Sequence, residues 1–237
     1  MKKLGLIILT LALGFTITGC NNSNVEVPEE EHEGTFEELI TIKNGETKTL
    51  DINGDGKEEN VSYTINKFAD DEYYGNATIT VDDATYETEG CSPVDTLTIA
   101  KTNTKDKDYK ILVGDEGPSC DFTTEFLSYD GKNINSLGTV GGILDLPLYD
   151  FNDGLVLNHD GTISTPERAD IVQTWWYTAN YEIGDKVKLI KQDFYPVECQ
   201  TKLLMDYDFY TKPNVKSDKV SLEEGQELEF TEIDNVE

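Results

Sequence analysis

The sequence predicts an all-β protein built from repeated antiparallel sheets, and three observations carry that expectation. Short β-branched or alternating runs recur along the chain, at Leu39–Ile42, Val61–Ile65, Ala77–Val81, Lys110–Val113 and Lys186–Ile190, and period-two alternation is the mark of a half-buried strand. Asp-Gly and Gly-Asp pairs separate them, the residue types that tight hairpin turns demand. No amphipathic helix is legible beyond residue 38. The best window, Thr165 to Thr174, is short and contains Pro166, which lacks an amide hydrogen and crowds the preceding turn.

The turns are spaced regularly. Acid-rich turns fall at Asp51–Asp55, Asn103–Asp108 and Asn158–Asp160, and the centres Asp55, Asp106 and Asp160 are 51 and 54 residues apart. A second hairpin turn follows each centre, at Asp82-Asp83, Asp130-Gly131 and Gly184-Asp185, lying 27, 24 and 25 residues downstream. Three units of about fifty residues, each with about four short strands, suit blade-like sheets packed side by side. The expected domain over residues 39–202 is therefore repeat-built and β-propeller-like, with ring closure left open.

The chain opens with Lys2 and Lys3, followed by an apolar segment from Leu4 to Ile17 that is too short to span a bilayer comfortably. It ends in Ile17-Thr18-Gly19-Cys20, which resembles the lipobox of bacterial lipoproteins. That resemblance implies that residues 1–19 are a signal peptide cut after Gly19, and that Cys20 carries the lipid. The expected location is extracytoplasmic, anchored to the bacterial cell membrane. Each buried methylene adds roughly 0.8 kcal/mol, so two acyl chains hold far better than one. The alternative is an ordinary secretory signal with a chance cysteine. Residues 21–38 contain seven Glu and no Lys or Arg; residues 20–38 are expected to be a solvated, self-repelling tether.

Charge narrows the partners. The chain has 47 acidic and 19 basic side chains, a net charge of −28. Removal of residues 1–19 takes away Lys2 and Lys3 and leaves −30. Such a surface repels nucleic acid and anionic headgroups and attracts cations. Aromatic residues make up 10% of the chain, twelve of them Tyr, whereas a disordered acidic chain is aromatic-poor.

The sharpest chemical motif is Asp51-Ile52-Asn53-Gly54-Asp55-Gly56-Lys57-Glu58-Glu59. Side-chain oxygens recur at positions 1, 3, 5 and 9, glycine occupies position 6, and Lys57 offers its carbonyl at position 7, as a hard-oxygen calcium cage requires. Position 12 is Ser62, not the bidentate Glu of an EF-hand, and the flanks Thr47–Leu50 and Asn60–Tyr63 are strand-like. A calcium turn between strands is similar to those of the FG-GAP and VCBS repeats of bacterial and integrin-type propellers. The resemblance implies Ca²⁺ held by Asp51, Asn53, Asp55, Lys57 and Glu59, with the second and third acid-rich turns degenerate. A hairpin turn without metal is the alternative.

With Cys20 assigned to lipid, Cys91, Cys120 and Cys199 remain. Cys91 and Cys120 both sit in Gly/Pro/Ser-containing loops and are the expected disulfide, three reduced thiols being the alternative. Cys199, in a strand-like run, is expected to be a small packed residue. The loop Gly114–Asp121 is expected to be a rigid acidic connection. From Leu203 the chain changes character. Tyr210-Thr211-Lys212-Pro213, Ser217, and the Val220, Leu222, Gly225, Leu228 spacing resemble the start of a bacterial SH3-like domain, so residues 203–237 are expected to be an incomplete SH3-like segment. In that family such modules bind cell-wall peptide or act as protein adaptors.

No nucleophile elbow, P-loop or dinucleotide fingerprint is present, and with 47 acids a carboxylate pair at glycosidase spacing carries no information. Trp175-Trp176-Tyr177 is a candidate sugar platform, but neighbouring strand residues face opposite ways. The expected function is that of a monomeric, lipid-anchored binding or scaffold protein for a cell-wall or surface protein ligand, with a calcium-stabilised β domain and no catalysis. A cell-envelope hydrolase using a carboxylate pair is the alternative.

Overall fold

The computed structural model describes residues 39–68, 74–89, 92–118, 121–146, 154–168, 176–212 and 216–234. Residues 1–38, expected to hold a signal segment, Cys20 and a tether, lie outside the described residues, as do Cys91, Cys120, Trp175 and the side chain of Cys199. Among the described residues every regular element is a strand, and every strand pairing within the sheets is antiparallel.

After β1 (Ile40–Lys43), the chain makes three successive meanders. The first runs β2 (Thr47–Leu50), β3 (Glu59–Lys67), β4 (Gly75–Val81) and β5 (Ala84–Glu87) in sequence order. The second runs β6 (Pro93–Ala100), β7 (Lys110–Asp115), β8 (Thr123–Tyr129) and β9 (Ile134–Gly141), and β1 adds to its β6 edge. The third runs β10 (Val156–Leu157), β11 (Thr162–Arg168), β12 (Trp176–Ile183) and β13 (Val187–Leu189). The chain then forms two linked ribbons, β14 (Tyr195–Lys202) with β17 (Glu227–Ile233) and β15 (Tyr207–Tyr210) with β16 (Lys219–Leu222). All of these sheets are open; none closes on itself.

The turns occupy equivalent places. Each acid-rich turn joins the first and second strands of a meander: Asp51–Asp55 between β2 and β3, Asn103–Asp108 between β6 and β7, and Asn158–Asp160 between β10 and β11. Asp82-Asp83, Asp130-Gly131 and Gly184-Asp185 each join the third and fourth. The pairing of β1 with β6, with Ile42 opposite Leu97, is not visible in the spacing, because a partner 55 residues away leaves no local signature. β14 and β17 pair across residues 203–226, so the two ends of that stretch belong to one ribbon.

The sheets bury their faces in chain order. A first core joins the first two sheets, with Val61, Tyr63, Ala77, Ile79 and Val81 meeting Ile42, Leu97, Ile99, Ile111, Val113 and Leu127. A second core lies on the opposite face of the second sheet, where Leu112, Phe126, Leu137 and Val140 meet Leu155, Leu157, Ile163 and Ile183. The second sheet is therefore covered on both faces, which explains why β7 contains the unbroken apolar run Ile111-Leu112-Val113. A third, smaller core joins Tyr177 and Ala179 to Tyr195, Val197 and Ile233, with the Tyr177 and Tyr195 rings 4.6 Å apart. Each fully buried aliphatic or Phe side chain contributes about 1.5–3 kcal/mol of transfer free energy.

Candidate cation-binding turn

The Asp51–Glu59 segment leaves β2 and enters β3 through a loop held by its own side chains. The Asp55 amide donates to Asp51 Oδ1 and to Asn53 Oδ1, each at 3.0 Å. The Gly56 amide donates to Asp51 Oδ2 at 2.9 Å, and the Lys57 amide donates to Asp55 Oδ1 at 2.8 Å. These Asx-type bonds explain why Asp and Asn stand here: short side chains reach amides a few residues ahead and fold the loop without a strand partner. They also bring the Asp51 and Asn53 oxygens onto one nitrogen, so two of the expected donors meet at the Asp55 amide. The Lys57 ammonium, on a side chain 83% exposed, sits 3.6 Å from Asp55 Oδ2.

The loop is seated on its neighbours. Ile52 is 1% exposed and belongs to the first core. Its carbonyl accepts the Tyr109 amide at 2.8 Å, and its own amide donates to Glu59 Oε2 at 3.1 Å. Gly54 lies against Lys107 of the second acid-rich turn, and that turn pairs in its own right with the third, Asn103 bridging to Asp160. The three acid-rich turns thus touch in series.

Glu59 is the residue whose setting the spacing alone does not reveal. It is 6% exposed, and the Ile52 amide is the only donor bonded to its carboxylate among the described residues. Burial pushes its pKa up, the Ile52 amide pulls it down, and Asp55, Asp51 and Asp82 add repulsion that raises it. A buried carboxylate whose ionised form is opposed by three nearby negative charges is costly to ionise. The same field reaches Tyr129, pushed up by burial and then by Asp82, Glu59, Asp130 and Asp83.

The sign of this effect is set by linkage. Because the folded pKa of Glu59 is raised, its cost is absent below the unfolded pKa and complete above the folded one. Asp130 and Asp160 shift the other way, lowered chiefly by bonds from Asn133 and from Thr162, so they favour the fold as pH rises. The wild-type curve therefore mixes both signs. Glu59→Gln keeps an acceptor for the Ile52 amide and removes the charge. In the absence of calcium, its stability relative to wild type is expected to grow as pH rises through and above the ordinary carboxylate range, checked by urea unfolding.

As they stand, no three His, Cys, Asp or Glu side chains among the described residues converge into a metal cage. The donor set nonetheless fits a hard cation: each loop carboxylate oxygen bonded to an amide keeps a second lone pair, and Glu59 keeps a whole oxygen. Asp51, Asn53, Asp55, Glu59 and the Lys57 carbonyl would hold Ca²⁺, which supplies the positive charge the buried acid lacks.

Outside this turn, a cleft of about 470 Å³ opens between β5, β7, β8 and β9. Its Glu125 accepts the Tyr86 hydroxyl at 2.6 Å and the Ser136 hydroxyl at 2.7 Å. Its Asp115 accepts the Ser92 and Gly117 amides, each at 2.8 Å. Burial, reinforced by the Glu125 bond and charge, pushes Tyr86 up to about 12, so its proton stays in place. These acids brace the walls, including the start of the Gly114–Asp121 loop. Sequence spacing gave no hint of the cleft, because its residues come from four strands of two sheets. Trp176 lies under the Arg168 guanidinium at 5.1 Å while Tyr177 packs in the third core. These two neighbours do not form one aromatic platform. Comparisons with protein-family models, with curated proteins and with solved structures found no match.

Proposed function

We propose that the chain is a lipid-anchored, extracytoplasmic binding or scaffold protein without catalysis, whose blade-like, propeller-type β units are stiffened by calcium at the Asp51–Glu59 turn. The observation that carries the calcium reading is the buried Glu59 carboxylate, which among the described residues accepts only the Ile52 amide and whose pKa is raised by burial and by the charges of Asp55, Asp51 and Asp82. A divalent cation there turns mutual repulsion into shared attraction and ties β2 to β3. The anchor rests on Lys2, Lys3 and the Ile17–Cys20 run.

Without the bidentate Glu of an EF-hand, affinity falls in the weak extracellular range, on the order of 10⁻⁴ to 10⁻³ M. At free calcium ten times the dissociation constant, linkage adds roughly 1.4 kcal/mol. Melting of the lipid-free mature protein is expected to rise with calcium, and Asp55→Ala is expected to abolish that rise. An equal calcium shift in both proteins would assign the effect to diffuse screening of the acidic surface and remove the site. In cells, fatty-acid labelling is expected on the wild type and not on Cys20→Ala, which enters the medium.

A further inference from the structure

The end of the chain forms a long two-stranded arm. β14 pairs with β17 from Tyr195↔Ile233 to Lys202↔Glu227, and β15 pairs with β16 from Tyr207↔Leu222 to Tyr210↔Lys219. Between the two ladders the Leu203 amide donates to the Gln226 carbonyl at 2.9 Å, and the Gly225 amide donates to the Leu203 carbonyl at 2.8 Å, so the ribbon continues through its bend. The third core anchors the base through Tyr195, Val197 and Ile233.

The distal half has no such anchor, yet it is sharply two-sided. By strand alternation and register, Tyr207, Phe209, Val220 and Leu222 share one face. Tyr207 and Phe209 meet edge to face with centroids 5.1 Å apart. None of the four belongs to any of the three cores. Tyr207 is 57% exposed and Val220 47% exposed, Phe209 and Leu222 are half-buried, and Leu204 and Met205 in the adjoining bend are 87% and 65% exposed. The opposite face is polar and internally satisfied: the Ser221 hydroxyl donates to Asp208 at 2.6 Å, and the Lys219 ammonium lies 3.8 Å from Asp208 and 5.0 Å from the Tyr210 ring centre. Among the described residues β15 and β16 pair only with each other, and an isolated two-stranded ribbon is marginal in water. Its unpaired edges are templates for another strand, and its apolar face gains stability once covered.

Charge selects what covers it. Residues 203–234 carry nine carboxylates against three lysines. The chain's own segment 21–38 is acidic, and a second copy brings another highly negative surface. Both meet like charge, so a basic partner is the complementary one. We propose that the apolar face formed by Tyr207, Phe209, Val220 and Leu222 docks a basic extended segment of another protein, one in which lysine or arginine alternates with apolar side chains. Its apolar side chains cover the ribbon face, while its cations, on the segment's other side, answer the net negative charge of the arm. This inference is independent of the calcium reading.

The test uses the lipid-free mature protein and, as probe, a synthetic peptide alternating lysine with valine and tyrosine. Anisotropy titration is expected to saturate, with affinity reduced roughly tenfold or more by the double substitution Phe209→Thr, Val220→Thr. Glutamate in place of the peptide's lysines is expected to abolish binding, while the double variant keeps the wild-type melting temperature. Equal lysine-peptide binding by wild type and variant would reduce the interaction to diffuse attraction and overturn the proposal. A variant melting several degrees lower would show that the face packs within the chain and would overturn it too. Sedimentation showing a wild-type dimer that the substitutions dissolve would assign the face to a second copy instead.

Discussion

Phe126→Ala and Leu127→Ala are both expected to be severely destabilising, although the two residues are adjacent in one strand. Each is fully buried, Phe126 in the core shared with the third sheet and Leu127 in the core shared with the first. A bulge between them adjusts the pairing with β9 without exposing either. Truncation loses transfer free energy and leaves a cavity, about 3–5 kcal/mol for Phe and about 2–5 kcal/mol for Leu. Urea unfolding of the protein lacking residues 1–19 measures both, and Val156→Ala, at a position 40% exposed, is the control expected to stay within about 0.5 kcal/mol. The order of sheets makes the pair diagnostic. In a sheet with one wet face, one of two neighbouring substitutions would be nearly silent. A small effect from Phe126→Ala would mean that the third sheet does not cover the second.

Gly54→Ala is the second large effect and bears directly on the candidate site. Gly54 has φ of +74°, and a Cβ there would stand 2.5 Å from Lys107 Cβ and 2.9 Å from the Lys107 carbonyl carbon. The conformational penalty of about 1–2 kcal/mol adds to an overpacking penalty of about 1–3 kcal/mol, because backbone cannot swing aside as a side-chain tip can. Gly56 shares the loop, with φ of +90°, but a Cβ there meets nothing within 4 Å. Gly56→Ala should therefore cost only the conformational part. Gly54→Ala is expected to be the more destabilising of the two in denaturant unfolding, and to blunt the calcium-dependent rise in melting temperature because it pushes the first acid-rich turn off the second. Equal costs for the two substitutions would mean that the turns do not touch.

The legible parts of this chain are local. Asp51, Asn53, Asp55 and Gly56 announce a loop because their own short side chains and φ preferences build it. Asp82-Asp83 and Asp130-Gly131 announce hairpins for the same reason. The strands around them were visible wherever one face is wet, as in β4, whose burial alternates strictly from Gly75 to Val81. The alternation fails in β7, because Ile111, Leu112 and Val113 are buried on both sides, and a run of apolar residues does not say which neighbour covers which face. The arm was the hardest segment to read. Its β17 returns to pair with β14 and contributes Ile233 to a core with Tyr177, a pairing that no local spacing encodes.

Glu59 marks the same divide within the candidate site. Its spacing from Asp51 placed it among the oxygen donors, but nothing near it in sequence foretold that it would be buried against the Ile52 amide with Asp82 beside it. By itself the sequence determined an all-β chain, the positions of its turns, a strongly acidic surface and a set of oxygen donors in one loop. Each of these depends on side chains acting within a few residues of themselves. Only the tertiary structure decided that β1 crosses to β6, that the second sheet is covered on both faces, that the acid-rich turns touch, and that the arm leaves an apolar face partly exposed. Those outcomes are sums of contacts between residues as far apart as Ile42 and Leu97, and their free energy exists only once both partners are in place.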